Sequence, residues 1–153
     1  MLEEKIRQLS TEFRCAIEEA QKQGEFEKDF LFSRFPRGCC GDTCILLGQF
    51  LLMNGIDSWY VCGNYYGANG SFQSHAWLNV GDELIVDITG DQFRNKTIFL
   101  KYNIPVYIGQ VDSFHKLFVV ERRNVRKSAP LSSWDCIDPN RLPDLYQRIC
   151  KYI

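Results

Sequence analysis

The sequence predicts an α+β fold in which a central buried helix packs on a mostly antiparallel sheet. Apolar residues have helical spacing over much of the first 53 positions, and the spacing changes to that of short strands from position 59 onward. An order of helices first and strands afterwards is typical of α+β domains. The 153 residues suit a single domain spanning 1–153, which is large enough to bury its own core.

Three helices are expected, two before the strands and one after them. An amphipathic helix over 2–22 is predicted from apolar residues at three- and four-residue steps, namely Leu2, Ile6, Leu9, Phe13, Ile17 and Ala20. The run 39–53 is apolar on nearly every side, so this helix is expected to be central and buried. A short terminal helix is predicted from Leu142, Leu145, Tyr146, Ile149 and Cys150.

Strands are predicted where the apolar pattern shortens. The predicted segments are 59–62, 72–80 and 83–88, with further strands near 104–109 and 116–121. The stretch 63–71 holds three glycines among polar residues and is interpreted as a flexible loop that borders a cleft. The stretch 122–127 carries four basic side chains and is interpreted as a solvated loop.

Composition excludes several classes of function. The net charge is -1, so the molecule as a whole is not steered toward nucleic acid or an anionic membrane. No apolar run reaches the roughly 20 residues that a membrane span requires. The first residues lack a secretory pattern, so a cytoplasmic location is expected, and the odd number of cysteines, seven, argues against a disulfide scaffold.

Cys40 is a candidate nucleophile because of its place in the sequence. It follows Gly38 at the predicted start of the buried helix, where free N–H groups and the helix dipole favour a thiolate. The alternative is that Cys40 is a buried apolar thiol without chemical function. Cys39 is adjacent, so two residues compete for the role, and helix phasing favours Cys40.

His75 and Asp87 are predicted to meet across a hairpin. A three-residue loop over 80–82 would place position 75 directly opposite position 87, with Cβ atoms about 5 Å apart. This register also separates two sets of side chains: Ala76, Leu78, Leu84 and Val86 on one face, and His75, Trp77, Asn79 and Asp87 on the other. A two-residue loop at 81–82 would instead point the histidine and the aspartate to opposite faces.

Together the three residues could carry acyl-transfer chemistry. In this interpretation Asp87 orients His75, and His75 takes the proton of Cys40. The thiolate then attacks an acyl carbon and forms a thioester, which water or an amine resolves. The backbone N–H of Cys40 could serve as one oxyanion donor.

The same residues resemble a known family. The segment FPRGCCGDTCILLGQFLLMNGI resembles the Gly-x-Cys helix of the transglutaminase-like superfamily, SHAWL resembles its His-Ala-Trp strand, and LIVDITGDQF resembles its Val-Asp strand. The likeness covers roughly 31–95 and is nearest to small bacterial transglutaminase-like proteins related to the protease of lasso-peptide maturation. It implies a papain-like core with Cys40, His75 and Asp87 as catalytic residues, and no cofactor. It also implies a peptide or protein amide as substrate, with peptidase, amidase, deamidase or amine-transfer activity.

Two other interpretations remain open from the sequence. A zinc site could use Cys39, Cys40, Cys44 and His75, although no Cys-x-x-Cys spacing is present. A catalytically silent binding module could keep the fold without the activity. The second histidine, His115, lies near Tyr102, Tyr107 and Phe114 and is interpreted as structural, with contact to a substrate as the alternative.

Overall fold

The computed structural model describes residues 1–153 and contains three helices and one five-stranded sheet. The helices are α1 (Leu2–Lys22), α2 (Cys40–Met53) and α3 (Arg141–Cys150). The strands are β1 (Trp59–Tyr66), β2 (Phe72–Val80), β3 (Leu84–Asp87), β4 (Tyr107–Gly109) and β5 (Val119–Lys127). This architecture confirms the predicted α+β class and all three predicted helices.

The sheet is antiparallel throughout, in the order β4-β3-β2-β1-β5. The central strand β2 pairs with β1 along its whole length, from Phe72 opposite Tyr66 to Asn79 opposite Trp59. It pairs with β3 over a much shorter stretch, at Leu78, Asn79 and Val80 only. One side of β2 is therefore unpaired on the N-terminal side of Leu78.

Helix α2 is buried against one face of the sheet. Its Leu46, Leu47 and Leu51 belong to the same core as Leu78 and Val86 of the sheet. Helices α1 and α3 cover the outer side of α2, with Ile6, Phe13, Ile17, Leu142, Leu145 and Ile149 fully or almost fully buried. Of the predicted apolar positions of α1, Leu2 is exposed because it lies in the first turn, beyond the core.

A second, largely aromatic core covers the opposite face of the sheet. Val61, Trp77 and Ile85 provide the strand side chains, and the segment between β3 and β5 adds a set of buried rings, namely Phe93, Phe99, Tyr102, Phe114 and Phe118. These rings stack closely, as in the 3.9 Å separation of the Tyr102 and Phe114 centroids. Burial on both faces explains why residues 75–78 of β2 are all buried.

Several predicted boundaries are wrong. Strand β1 continues to Tyr66, so part of the expected flexible loop is sheet, and the four basic residues of 122–127 lie in β5. These basic side chains fit an edge strand, since charge on an edge discourages pairing with other chains. Residues 104–106 are not strand, and His115–Leu117 forms a 3-10 turn where a strand was expected.

The predicted hairpin register is also wrong, by two residues. The observed pairs place Val80 opposite Leu84, so the loop consists of residues 81–83 and Gly81 takes a left-handed φ of 62°. An offset of two preserves the face on which each side chain lies, because side chains alternate with a period of two. His75 and Asp87 therefore still share a face, although they are not directly opposed.

None of the helices combines the length and the apolar character that crossing a membrane would require.

Candidate functional site

Cys40 is the first residue of α2, at the end of an irregular approach to the helix. Gly38 has a φ of 68°, a left-handed conformation that glycine adopts without cost, and it turns the chain into the helix. The neighbouring Cys39 is completely buried, and its thiol donates to the backbone carbonyl of Leu31 at 3.1 Å. Burial raises the pKa of Cys39 to about 12. Of the two adjacent cysteines, Cys40 is the one that is only partly buried.

His75 and Asp87 form a buried hydrogen-bonded pair. The His75 Nε2 lies 2.7 Å from Asp87 Oδ2, and the side chains are 0% and 1% exposed. The other carboxylate oxygen, Oδ1, accepts a hydrogen bond from the backbone N–H of Thr89 at 2.9 Å. Burial opposes ionisation of Asp87, but the charge of His75 and the donors around the carboxylate lower its pKa well below the ordinary value.

The pKa of His75 is shifted in the opposite direction to that of Asp87. Burial alone would lower the pKa of the imidazole, because a charged ring loses its hydration. The negative charge of Asp87 and the hydrogen bond to it outweigh this effect, and contact with Cys40 adds to them, so the pKa of His75 is raised. The pair therefore favours an imidazolium beside a carboxylate.

The Cys40 thiol and the His75 imidazole shift each other's pKa. Burial tends to raise the pKa of the Cys40 thiol, but a hydrogen bond with His75, the charge of His75 and a backbone hydrogen bond from Ala76 lower it below the ordinary value. The Ala76 backbone is accessible to the sulfur because β3 pairs with β2 only from Leu78 onward. This gap allows a thiol on the α2 side of the sheet to reach a ring that packs on the other side.

The amide of Gln92 lies at the remaining ring nitrogen of His75. Its Nε2 is 3.4 Å from His75 Nδ1 and 3.0 Å from the carbonyl oxygen of Thr89. Because a carbonyl oxygen only accepts hydrogen bonds, the amide must present its nitrogen to Thr89. The second N–H of the same nitrogen is then on the side of His75 Nδ1. Nothing in the local sequence pattern indicated that Gln92 would lie beside His75.

His115 also contacts Asp87, which the sequence did not indicate. Its Nε2 lies 2.9 Å from Asp87 Oδ2, and its Nδ1 lies 2.6 Å from Asp112 Oδ1. Both ring nitrogens of His115 thus face carboxylates, and the residue is buried, which favours the structural interpretation over contact with a substrate. The one local signal was Asp112, three residues before His115, a spacing that suits a turn.

One set of metal-ligating atoms comes close together in the structure. His75 Nε2, Asp87 Oδ2 and His115 Nε2 all lie within 4.8 Å of one another. Their direct contacts of 2.7 Å and 2.9 Å are shorter than the roughly 3.3 Å between ligand atoms of a tetrahedral zinc site. The expected zinc ligands Cys39 and Cys44 are not in this set. Hydrogen bonds therefore describe the cluster better than a metal site does.

The segment 63–71 divides between core and surface. Tyr65 packs edge-on against Phe99, with ring centroids 5.0 Å apart, and belongs to the aromatic core. Tyr66 and Phe72 lie opposite each other at the tip of the β1–β2 hairpin and are both more than half exposed. The tip therefore offers an aromatic surface a few residues before His75 in β2.

The arrangement provides the parts that thiol chemistry needs: a partly buried cysteine, an imidazole and a buried carboxylate that holds the imidazole. The same chemistry is compatible with hydrolysis or with transfer to an amine. Comparisons of this chain with protein-family models, with curated proteins and with solved structures found no match.

Proposed function

We propose that the protein is a thiol-dependent acyl-transfer enzyme with a papain-like, transglutaminase-like core, in which Cys40, His75 and Asp87 form the catalytic triad. The observation that carries this proposal is the buried His75 imidazole, which Asp87 holds at 2.7 Å and which lowers the pKa of the Cys40 thiol. The pKa of Cys40 is lowered, whereas burial raises that of Cys39, Cys44 and Cys62. The activated thiol is thus the one at the start of α2.

The proposed reaction proceeds from the Cys40 thiolate, whose proton is held by His75. Asp87 accepts the Nε2–H bond, so the proton from sulfur is received at Nδ1. The thiolate attacks the carbonyl carbon of a peptide or protein amide, and a C–S bond forms while the oxygen takes the negative charge. His75 then protonates the leaving amine as the C–N bond breaks, and a thioester remains.

The thioester is resolved by a second nucleophile. Water, or an amine, gives a proton to His75 and attacks the acyl carbon, and the C–S bond breaks. Water yields a carboxylic acid, which corresponds to peptidase, amidase or deamidase activity. An amine yields a new amide, which corresponds to transglutaminase activity. The Cys40 thiolate regained at the end is ready for another cycle.

Two donors suit the oxyanion that forms at each attack. The Cys40 backbone N–H lies in the first turn of α2, where N–H groups have no partner within the helix. Gln92 keeps a second N–H beside His75 Nδ1, because the first is held by Thr89. Donors fixed before the reaction stabilise the developing charge without reorganisation. We therefore assign the oxyanion to Cys40 and Gln92.

A binding module without catalysis is the competing function. Such a module has no need for an activated thiol, whereas the proposal requires one at Cys40. Alkylation of the folded protein with iodoacetamide over a range of pH separates the two. The proposal expects Cys40 to react well below the pH at which an ordinary thiol reacts, and expects this reactivity to be lost in His75→Ala. Slow alkylation of every cysteine would support the binding module.

A direct test is to trap the acyl intermediate. The protein is incubated with p-nitrophenyl esters of several acyl groups and quenched in acid, and its peptides are analysed by mass spectrometry. We expect one acyl group on Cys40 in the wild type and in the control Cys39→Ser, and none in His75→Ala. Acylation spread over several cysteines, or unchanged in His75→Ala, would contradict the proposal.

A further inference from the structure

The carboxylate of Asp87 has two imidazole donors on one oxygen. His75 Nε2 reaches Oδ2 at 2.7 Å and His115 Nε2 reaches the same atom at 2.9 Å. The second oxygen is bound by the Thr89 N–H. An ionised carboxylate accepts hydrogen bonds only, so both imidazoles face it with N–H groups. The orientation of the carboxylate is therefore set by His115 and Thr89 as well as by His75.

His115 is in turn fixed by Asp112. The Oδ1 atom of Asp112 lies 2.6 Å from the ring Nδ1 of His115 and accepts from its backbone N–H at 2.8 Å. The Oδ2 atom accepts from the hydroxyl of Tyr102 at 3.2 Å. The result is one continuous series of hydrogen bonds, from Asp112 through His115 and Asp87 to His75.

Aromatic rings surround His115 on the remaining sides. Trp77 packs edge-on at 5.1 Å between centroids, Tyr107 lies at 5.2 Å and Phe114 at 5.0 Å. The titratable groups that face the ring are thus Asp87, Asp112, Tyr102, Tyr107 and, beyond the shared carboxylate, His75. Burial among these rings leaves the imidazole no freedom to rotate away from Asp87.

We propose that His115, fixed by Asp112, is a positioning residue of the Cys40–His75–Asp87 site and holds the Asp87 carboxylate in the orientation that His75 requires. This inference rests on the proposed function, because a positioning role has meaning only if the site reacts. A buried histidine with a purely structural role would need a partner, but not the oxygen that also orients His75. The shared Oδ2 is the observation that separates the two roles.

The loss of His115 has a definite expected direction. If the carboxylate is free to turn away from His75, the imidazolium is less stabilised and the Cys40 thiolate with it. The pH midpoint of Cys40 alkylation then moves up. If His115 merely competed for the charge of Asp87, its removal would strengthen the bond to His75 and move the midpoint down. The direction of the shift therefore tests the proposal.

The experiment measures iodoacetamide alkylation of Cys40 against pH in folded variants, whose melting temperatures are recorded. We expect His115→Gln and Asp112→Asn to raise the midpoint by about one pH unit and to slow acylation by p-nitrophenyl acetate about tenfold. The matched control is Tyr107→Phe, which keeps the ring against His115 and loses only a hydroxyl bound to the Gln110 carbonyl. We expect it to behave as the wild type.

The outcomes separate this inference from the proposed function. If His75→Ala leaves Cys40 reactivity unchanged, the proposed function fails. If His75→Ala abolishes it but a folded His115→Gln or Asp112→Asn has an unchanged or lowered midpoint, only the inference fails. A measurement on the wild type covers variants that do not fold: in 1H–15N spectra of the imidazole rings, Nε2 of His115 should carry a proton. A bare Nε2 cannot donate to Asp87 and would overturn the proposal.

Discussion

The carboxylate of Asp87 reaches the ring of His75 diagonally across two strands. Continuing the register of β2 and β3 by one residue places Asp87 opposite Trp77, not opposite His75. Diagonal neighbours on one face of a sheet are about 7 Å apart at Cβ, a gap that an imidazole bridges. The resulting 2.7 Å contact leaves the opposite position to Trp77, whose ring packs beside His75 at 5.8 Å.

Asp87→Asn should impair the site more than it impairs the fold. The amide matches the carboxylate in size, and its oxygen can still accept one hydrogen bond, but it brings no charge to support the imidazolium. By comparison with the loss of a triad carboxylate elsewhere, we expect acylation by p-nitrophenyl esters to slow by about 10³-fold to 10⁴-fold. Stopped-flow release of p-nitrophenol measures this.

The control for Asp87→Asn is Asp82→Asn, which changes an exposed aspartate in the β2–β3 loop. Its acylation rate should equal that of the wild type. A rate for Asp87→Asn within a factor of about three of the wild type, a loss of under 1 kcal/mol in transition-state stabilisation, would show that the carboxylate has no part in the reaction.

Gln92→Ala should slow acylation without changing the reactivity of the thiol. Removing one oxyanion donor typically costs about 10²-fold to 10³-fold in rate. Alkylation by iodoacetamide develops no oxyanion, so its rate and pH midpoint should stay near the wild-type values. Both rates are measured on the same preparation, and their ratio identifies a donor that acts only on the acyl transition state.

Gln92→Glu is the informative companion to Gln92→Ala. It keeps the length of the side chain but exchanges the donor for an acceptor, so its acylation should be at least as slow. If Gln92→Ala and Gln92→Glu slow alkylation and acylation equally, Gln92 orients His75 and does not stabilise an oxyanion.

The pH dependence of stability should report the contact of Cys40 with His75. The pKa of His75 is raised above its ordinary 6.5, so its contribution to stability is lost as pH rises through the folded pKa. The pKa of Cys40 is lowered below 9.0, so its contribution grows with pH up to that value. At pH values above 6.5 that also lie between the lowered pKa of Cys40 and 9.0, the two slopes oppose each other.

Cys40→Ser removes the thiol contribution and leaves the larger part of the His75 contribution, which comes from Asp87. We therefore expect the free energy of unfolding to fall more steeply with pH in Cys40→Ser than in the wild type across this interval. The added slope has a ceiling of about 1.4 kcal/mol per pH unit for one proton. Urea unfolding followed by fluorescence measures it, with Cys39→Ser as the control that keeps both groups. If the free energy of unfolding changes equally with pH in the wild type, Cys40→Ser and Cys39→Ser, the thiol and the imidazole titrate independently.

The sequence was most informative where periodicity governs structure. Helix α2 and the shared face of His75 and Asp87 follow from local patterns, because side-chain direction repeats with a fixed period. The length of the hairpin loop does not, since loops over 80–82 and 81–83 satisfy the same alternation. The contacts of His115 with Asp87 and of Gln92 with His75 could not be predicted. These partners lie in other elements, and only the folded chain brings them together.

A buried ion pair should anchor the segment that carries Thr89 and Gln92. Arg14 of α1 forms two hydrogen bonds of 2.8 Å to Asp91 and donates to the Ile88 carbonyl at 2.7 Å. Both charged side chains are under a tenth exposed. Asp91→Asn leaves the guanidinium with an incomplete partner, and breaking such a pair costs about 3 kcal/mol or more. Because Gln92 is adjacent, its orientation should loosen as well, so acylation should slow in protein that is still folded.

The control is Glu3→Gln, which breaks the exposed Arg7–Glu3 pair and should cost under about 1 kcal/mol. Equal losses in urea unfolding would show that the buried pair contributes no more than an exposed one.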